Sequence, residues 1–341
     1  AWGTRAMTTT PGAASSQTVE ARYAARFAAT RPADPMRDWE AIAETQRYLP
    51  ARHVVTPLPT GAYPPRPPGH VRVVCISDTH SRHEGLALPF GDVLVHAGDF
   101  SQRGARSEVL GFADWFASLP GYASKVLVAG NHDMSLDTLR CEALRLAHAT
   151  HITGDDEVLE EPHRAVAAFS RGDDDDDDGG ASTIKRDFLA TLQKAPAGNS
   201  GRVFYLEDDA ADVEGLKVYG SPWQPDFCDW AFNLGRGDPC RAKWRAVPED
   251  LDLLVTHGPP LGRGDRCHDG RRAGCLDLLQ EVQSRARPRV HVFGHIHEDR
   301  GASSDGTTDF VNPATCDLRY RPVQPPIVLD LPRRCQTKET G

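Results

Sequence analysis

Val71-Arg72-Val73-Val74-Cys75-Ile76-Ser77-Asp78-Thr79-His80 is the stretch whose reading decides the fold. Its first six residues are apolar or β-branched apart from Arg72, which is the length and composition of a core strand, and the run ends in a polar Ser-Asp-Thr-His. On extended backbone, Asp78 and His80 would face the same side, two residues apart. The pattern then recurs. Val93–His96 leads into Gly98-Asp99, Lys125–Ala129 into Gly130-Asn131-His132-Asp133, Leu251–Thr256 into His257-Gly258, and Val290–Phe293 into Gly294-His295-Ile296-His297. Further strand-like runs stand at Val203–Leu206, Leu216–Tyr219 and Ile327–Leu331. Between them apolar residues recur at helical spacing: Val109, Ala113, Phe116 and Leu119; Leu136, Leu139, Ala143 and Leu146; Cys275, Leu278, Leu279 and Val282. Strands alternating with helices predict an α/β domain with buried sheets.

Ligand sites in α/β sheets gather at the carboxyl ends of strands, where the chain turns away and side chains converge. The five motifs therefore offer one site with seven donors: oxygen from Asp78, Asp99 and Asn131, nitrogen from His80, His257, His295 and His297. A lone histidine after a strand is ordinarily a hydrogen-bonded core or surface residue. Five such motifs in order, each at a strand end, are not explained that way. Mixed carboxylate and imidazole donors suit manganese, iron or zinc better than magnesium or calcium. Two divalent cations and two aspartates leave a positive site, attractive to an anionic phosphate.

Bulk properties exclude several function classes. The formal charge is -9, and the six aspartates 173–178 supply most of it; without them about -3 remains, so no broad basic face for a nucleic-acid backbone is expected. No run of 18 apolar residues suggests a membrane span. The eight cysteines form no Cys-x-x-Cys pair, which argues against a thiolate zinc site and favours a reducing, cytoplasmic setting. Residues 1–33 carry four arginines against one acid; the expected reading is a basic tail, with an organelle transit peptide as its rival. Residues 1–67, ending in the Pro-rich Pro57–Pro68, read as peripheral, 68–333 as the catalytic domain, and 334–341 as a tail. The acidic run marks 155–200 as a disordered surface insertion, because like charges resist packing.

These segments resemble the calcineurin-like metallophosphoesterase superfamily. They resemble more closely its metallophosphoesterase-domain-containing family, through Ser77–Arg82, His96–Phe100, Tyr219–Pro225, Thr256–Gly262 and His291–Glu298. The resemblance covers about Pro67 to Pro332 apart from the acidic insertion. It implies a four-layer fold, two packed mixed β-sheets flanked by α-helices. It also implies that Asp78, His80, Asp99 and His297 hold one metal, that Asp99 bridges to a second held by Asn131, His257 and His295, and that His132 lies beside the substrate phosphate. Manganese-dependent phosphodiesterase activity, including on cyclic nucleotides, comes with the family. Asp133 stands where close relatives often carry Glu, a departure that implies tuning of a neighbouring group rather than loss of function.

The expected reaction is in-line displacement at phosphorus by water held between two divalent cations, with His132 as general acid for the leaving oxygen and Asp133 orienting a neighbour. The substrate class expected is a small-molecule phosphoester, a nucleotide among the choices. The segment Ser221–Asn233 is a candidate cap whose aromatics either stack on a base or only pack locally. Asn312 either lines the pocket or fixes a turn. A phosphoprotein phosphatase and a non-catalytic scaffold stabilised by metals are the alternative functions at this stage.

Overall fold

The computed structural model describes residues 18–28, 34–151, 180–194 and 201–334. Two mixed sheets pack face to face. The first has the order β13-β1-β2-β3-β4, built from β1 (His70–Ile76), β2 (Val93–Ala97), β3 (Ser124–Val128), β4 (Arg202–Tyr205) and β13 (Ile327–Pro332). β1 through β4 are parallel, and β13 runs antiparallel along the edge of β1. The second sheet has the order β11-β12-β10-β9-β6-β5, with β5 (Asp209–Val213), β6 (Leu216–Ser221), β9 (Leu253–Thr256), β10 (Val290–Val292), β11 (Gly301–Ser304) and β12 (Asp309–Asn312). β6, β9, β10 and β12 are parallel; β5 and β11 close the edges antiparallel. A small pair, β7 (Gln224–Pro225) with β8 (Asn233–Leu234), stands apart.

The four layers follow from strand alternation. Val71, Val73 and Cys75 of β1, with Val93 and Val95 of β2, meet Leu253, Val255, Val290, Val292 and Val311 in the apolar layer between the sheets. The intervening Val74, Ile76, Leu94, Leu127 and Leu254 join a second cluster containing the helices. On the first sheet the cover is α3 (Arg106–Ser118) and α5 (Ala181–Leu192); α4 (Thr138–His151) lies between them in sequence. Phe112 and Phe116 of α3 meet the ring of His96 on β2, and Phe188 of α5 meets Tyr205 on β4. Trp244 of α6 (Asp238–Trp244) and Leu278 of α7 (Leu276–Glu281) join the same outer cluster as Tyr219, Leu254 and Phe310 of the second sheet. Full burial of such side chains contributes about 1.5–3 kcal/mol each.

Two expectations change. Residues 181–192, assigned to a disordered insertion, form α5, which buries Ile184, Phe188 and Leu192. Their i, i+4, i+8 spacing outweighs the neighbouring acidic run once an apolar surface is available. Asp173–Asp178 itself lies outside the described residues. The N-terminal segment, expected to be peripheral, straps onto the domain through α1 (Val19–Ala24), α2 (Pro35–Ile42) and the chain that follows. Arg26 makes a two-pronged pair with the buried Asp137 at 2.7 and 3.0 Å. Leu49 and Val54 form bridges with Ser304 and Leu329. Among the described residues, no helix is long and apolar enough to cross a membrane.

Candidate metal centre

All five motifs arrive at one place, where the carboxyl ends of β1, β2 and β3 meet those of β9 and β10. His257 at the end of β9 reaches the first sheet, its Nδ1 donating to Ala97 O at 2.9 Å. Across the same gap the backbone N–H of His295 donates to both Asp78 oxygens, at 3.0 and 3.1 Å.

Two donor groups share the carboxylate of Asp99. On one side the Nε2 atoms of His80 and His297 lie 3.1 Å apart, and His297 Nε2 is 3.4 Å from Asp78 Oδ1. On the other, Asn131 Oδ1 lies 2.9 Å from His257 Nε2 and 2.8 Å from His295 Nδ1. Asp99 Oδ2 faces the first group, 3.9 Å from the Nε2 atoms of both His80 and His132, whereas Oδ1 faces the second, 3.3 Å from His257 Nε2. At this centre three sets of residues bring their donor atoms within 4.8 Å of one another: Asp78, His80 and His297; His80, Asp99 and His132; Asp99, His257 and His295.

The donor set fits divalent cations. Backbone carbonyls fix the outer nitrogen of three rings as N–H: His257 donates to Ala97, His297 to Asp317 at 3.2 Å, and His132 to Gln102 at 2.6 Å. Nε2 of each ring is thereby turned inward, the arrangement that orients imidazole ligands. His80 Nδ1 is buried without a hydrogen-bond partner among the described residues, so that ring too is held by its inward face. The backbone leaves room for the convergence: a Cβ at Gly130 would lie 2.2 Å from Asp99 Oδ1, and one at Gly294 2.2 Å from Asp78 Oδ2. These glycines have a steric task at the site itself.

Burial alone would raise the Asp78 carboxyl, yet the hydrogen bond and charge of His297 hold it at about 2. Asp99 is likewise held well below the usual carboxylate range, burial being outweighed by His257 and His132. In return His257 and His297 are pushed up to about 9: burial opposes, but the Asp99 carboxylate and the Asp78 carboxylate respectively prevail. Burial holds His80 down at about 4 and His295 at about 3. The Asp78 and Asp99 carboxylates thus hold protons on His257 and His297, and a cation binding there would displace those protons.

The residues reach this geometry differently from the expectation at one point. Asp78 and His80 do not share an extended backbone. Their φ angles are 53° and 42°, and Asp99 and His295 are also left-handed, at 57° and 72°. Such conformations cost roughly 1–3 kcal/mol each outside glycine and cluster at functional sites. They persist here because the surrounding hydrogen bonds overdetermine them: Asp78 N donates to Gly98 O and His80 N to Asp99 O, both at 3.0 Å. Asp133 is part of that frame. Its buried carboxylate accepts from the backbone of Asp99 (3.0 Å), Gly130 (2.8 Å) and Ser101 (2.9 Å), and from the Ser101 hydroxyl. Burial and then the Asp99 charge push its carboxyl up to about 7.

Sequence reasoning missed other residues. His96 Nε2 lies 3.0 Å from Thr79 Oγ1, between Asp78 and His80, and His291 Nε2 lies 2.8 Å from Thr256 Oγ1, next to His257. These buried strand histidines brace the turns that carry the donors, and a histidine inside an apolar run gives no sign of that. Asn312 Nδ2 donates to Ile296 O at 2.8 Å, so it ties down the turn between His295 and His297. Aromatics rim the site. The Trp230 ring lies 4.1 Å from that of His132, Tyr320 4.7 Å from His80, and Phe227 5.7 Å from His295. Trp230 and Phe227 belong to the expected cap segment; Tyr320 carries no motif that would have singled it out.

Comparison with known proteins agrees with this architecture. The model of the calcineurin-like phosphoesterase family matches residues 71–299. Metallophosphoesterase domain-containing protein 1 of Homo sapiens is 42% identical over 289 residues, covering 82% of this chain and 76% of that protein. The Mus musculus protein of the same name matches equally, and UPF0046 protein T07D4.2 of Caenorhabditis elegans is 35% identical over 307 residues, covering 90% and 70%. The chain belongs to the calcineurin-like phosphoesterase family and is a metal-dependent phosphoesterase.

Proposed function

We propose that this chain is a phosphodiesterase with a two-cation centre, acting on nucleotide phosphodiesters, cyclic ones included. Asp99 carries the reading: one buried carboxylate turns its two oxygens toward two separate donor groups. Asp78, His80 and His297 hold one cation with Asp99; Asn131, His257 and His295 hold the other with Asp99. Manganese suits this mixture of carboxylate and imidazole, with iron or zinc as chemically acceptable replacements. When bound, such a pair supplies Lewis acidity toward the phosphoryl oxygens and a water acidic enough to attack at neutral pH.

The chain's own residues do the rest. Gln102 O holds His132 Nδ1–H, leaving Nε2 to deliver a proton to the leaving oxygen. Asp133 steadies the backbone of Asp99 and Gly130, keeping the shared carboxylate and the Asn131 turn in register. Phe227 and Tyr320, about half exposed at the rim, offer faces for a flat leaving group or base. Residues 68–333 form the catalytic unit on this reading.

Metal analysis and a substrate panel on one preparation test the proposal. Bound metal near two per chain with turnover of cyclic nucleotides and bis-(p-nitrophenyl) phosphate is expected. Preferential turnover of phosphopeptides would make the protein a phosphoprotein phosphatase instead. Metal without turnover of any phosphoester would leave it a metal-stabilised scaffold.

A further inference from the structure

A cavity of about 370 Å³ lies between the N-terminal strap and the loops that follow β9 and β10. None of the eight residues assigned to metals or proton transfer lines it. Its volume falls in the range of small-molecule sites. Four aromatic rings form its walls: Trp39 and Tyr48 from the strap, Phe293 from the loop after β10, and Phe310 from β12.

The charge around it is unbalanced. Arg272 is already engaged, lying 3.9 Å over the Trp39 ring and 2.5 Å from Asp265. The Arg266 guanidinium, which also lines the cavity, is exposed and has no hydrogen-bond or ion-pair partner among the described residues. Arg300 lines it too; its Nη2 donates to Pro325 O, while its Nε is buried without a partner among the described residues. Behind the wall, Arg263 is fully buried, its guanidinium 4.3 Å from the Tyr48 ring and 4.9 Å from the Phe310 ring. Arg263 Nη2 donates to Gln46 at 3.0 Å, while Nε and Nη1 lack an acceptor. Against these stands one lining carboxylate, Asp299, which accepts from the Arg266 backbone. Unpaired buried cationic donors are costly, and in a chain of net charge -9 their gathering here is local.

We propose that this cavity binds a small aromatic anion: a flat ring system held among the aromatic walls, carrying a sulfonate, carboxylate or phosphate that Arg266 and Arg300 neutralise. Aromatic walls give area to the ring, and the guanidinium groups of Arg266 and Arg300, neither of them paired with a carboxylate among the described residues, give the anion charge-assisted hydrogen bonds.

The test uses the full chain stripped of metal with EDTA, titrated calorimetrically with 1-naphthalenesulfonate. This probe is no phosphoester, so its binding is independent of the proposed hydrolysis. Saturable binding of one probe per chain, with Kd below about 1 mM, is expected. Arg266→Glu, a change at an exposed side chain, should weaken it about tenfold or more, and Trp39→Ala should do at least as much. Methanesulfonate, which has the anion and no ring, should bind at least about tenfold more weakly. Absence of saturation, affinity unchanged in Arg266→Glu, or equal affinity for methanesulfonate would each overturn the proposal.

Discussion

Asp99 and His132 sit side by side and should fail differently. Asp99 is shared between the two donor groups, and the backbone N–H of His132 donates to its Oδ1 at 2.8 Å. On the proposed two-cation reading, Asp99→Ala is expected to abolish turnover and to lower bound metal, since both donor groups lose the carboxylate between them. Full metal content with wild-type turnover would refute its assignment. His132 is turned to the same carboxylate only at 3.9 Å and stands at the rim beside Trp230. His132→Ala should therefore keep its metal and lose about 10²–10⁴ in kcat. A rise in KM alone would make it a uniform binding residue instead.

At the scale of the element, α5 shows how an amphipathic helix is held against an acidic neighbourhood. Phe188 is fully buried, stacked on Phe100 at 5.5 Å and edge-on to Tyr205 at the same distance. Phe188→Ala leaves a cavity that the neighbouring rings cannot fill, so unfolding free energy should fall by about 3–5 kcal/mol. Urea denaturation measures this; a loss under about 1 kcal/mol would mean that α5 adds little to the core. The same helix marks a limit of legibility. Ile184, Phe188 and Leu192 have helical spacing in the sequence, but three apolar residues following a run of six aspartates announce a helix only once a surface is there to bury them.

Across the whole molecule, the strap joins distant parts of the chain. Asp309 at the start of β12 accepts from the backbone N–H groups of Arg52 and His53, at 2.7 and 2.9 Å, and lies 2.8 Å from His53 Nδ1. Burial would raise its carboxyl, but the hydrogen bonds and charge of His53 lower it from 3.8 to about 2. A depressed carboxyl stabilises the fold above its ordinary pKa and loses that contribution as pH falls through the folded value. The affected window runs from about pH 4 down to about 2, and the contribution is about 2 kcal/mol. Asp309→Asn should flatten the pH dependence of the denaturation midpoint within that window. An unchanged acid limb would show that the strap is held by other contacts, such as the Arg26–Asp137 pair.

Local chemistry was enough to read most strands of the two sheets and the polar residues at their ends. Apolar runs of strand length announce buried strands whatever surrounds them, and a ligand-bearing residue at a strand end is placed by the strand itself. The convergence of Asp78, Asp99, Asn131, His257 and His295 on one place was legible for that reason. Asp209–Val213, Gly301–Ser304 and Asp309–Asn312 were not, because none of them holds an apolar, β-branched run long enough to announce a strand before its neighbours are in place. Left-handed turns at Asp78 and His80, the bracing histidines His96 and His291, Tyr320 beside His80, and the arginine-lined cavity under the strap were decided only by tertiary structure. Each depends on groups far apart in the chain, and no local propensity encodes a contact that exists only after the two sheets have closed on one another.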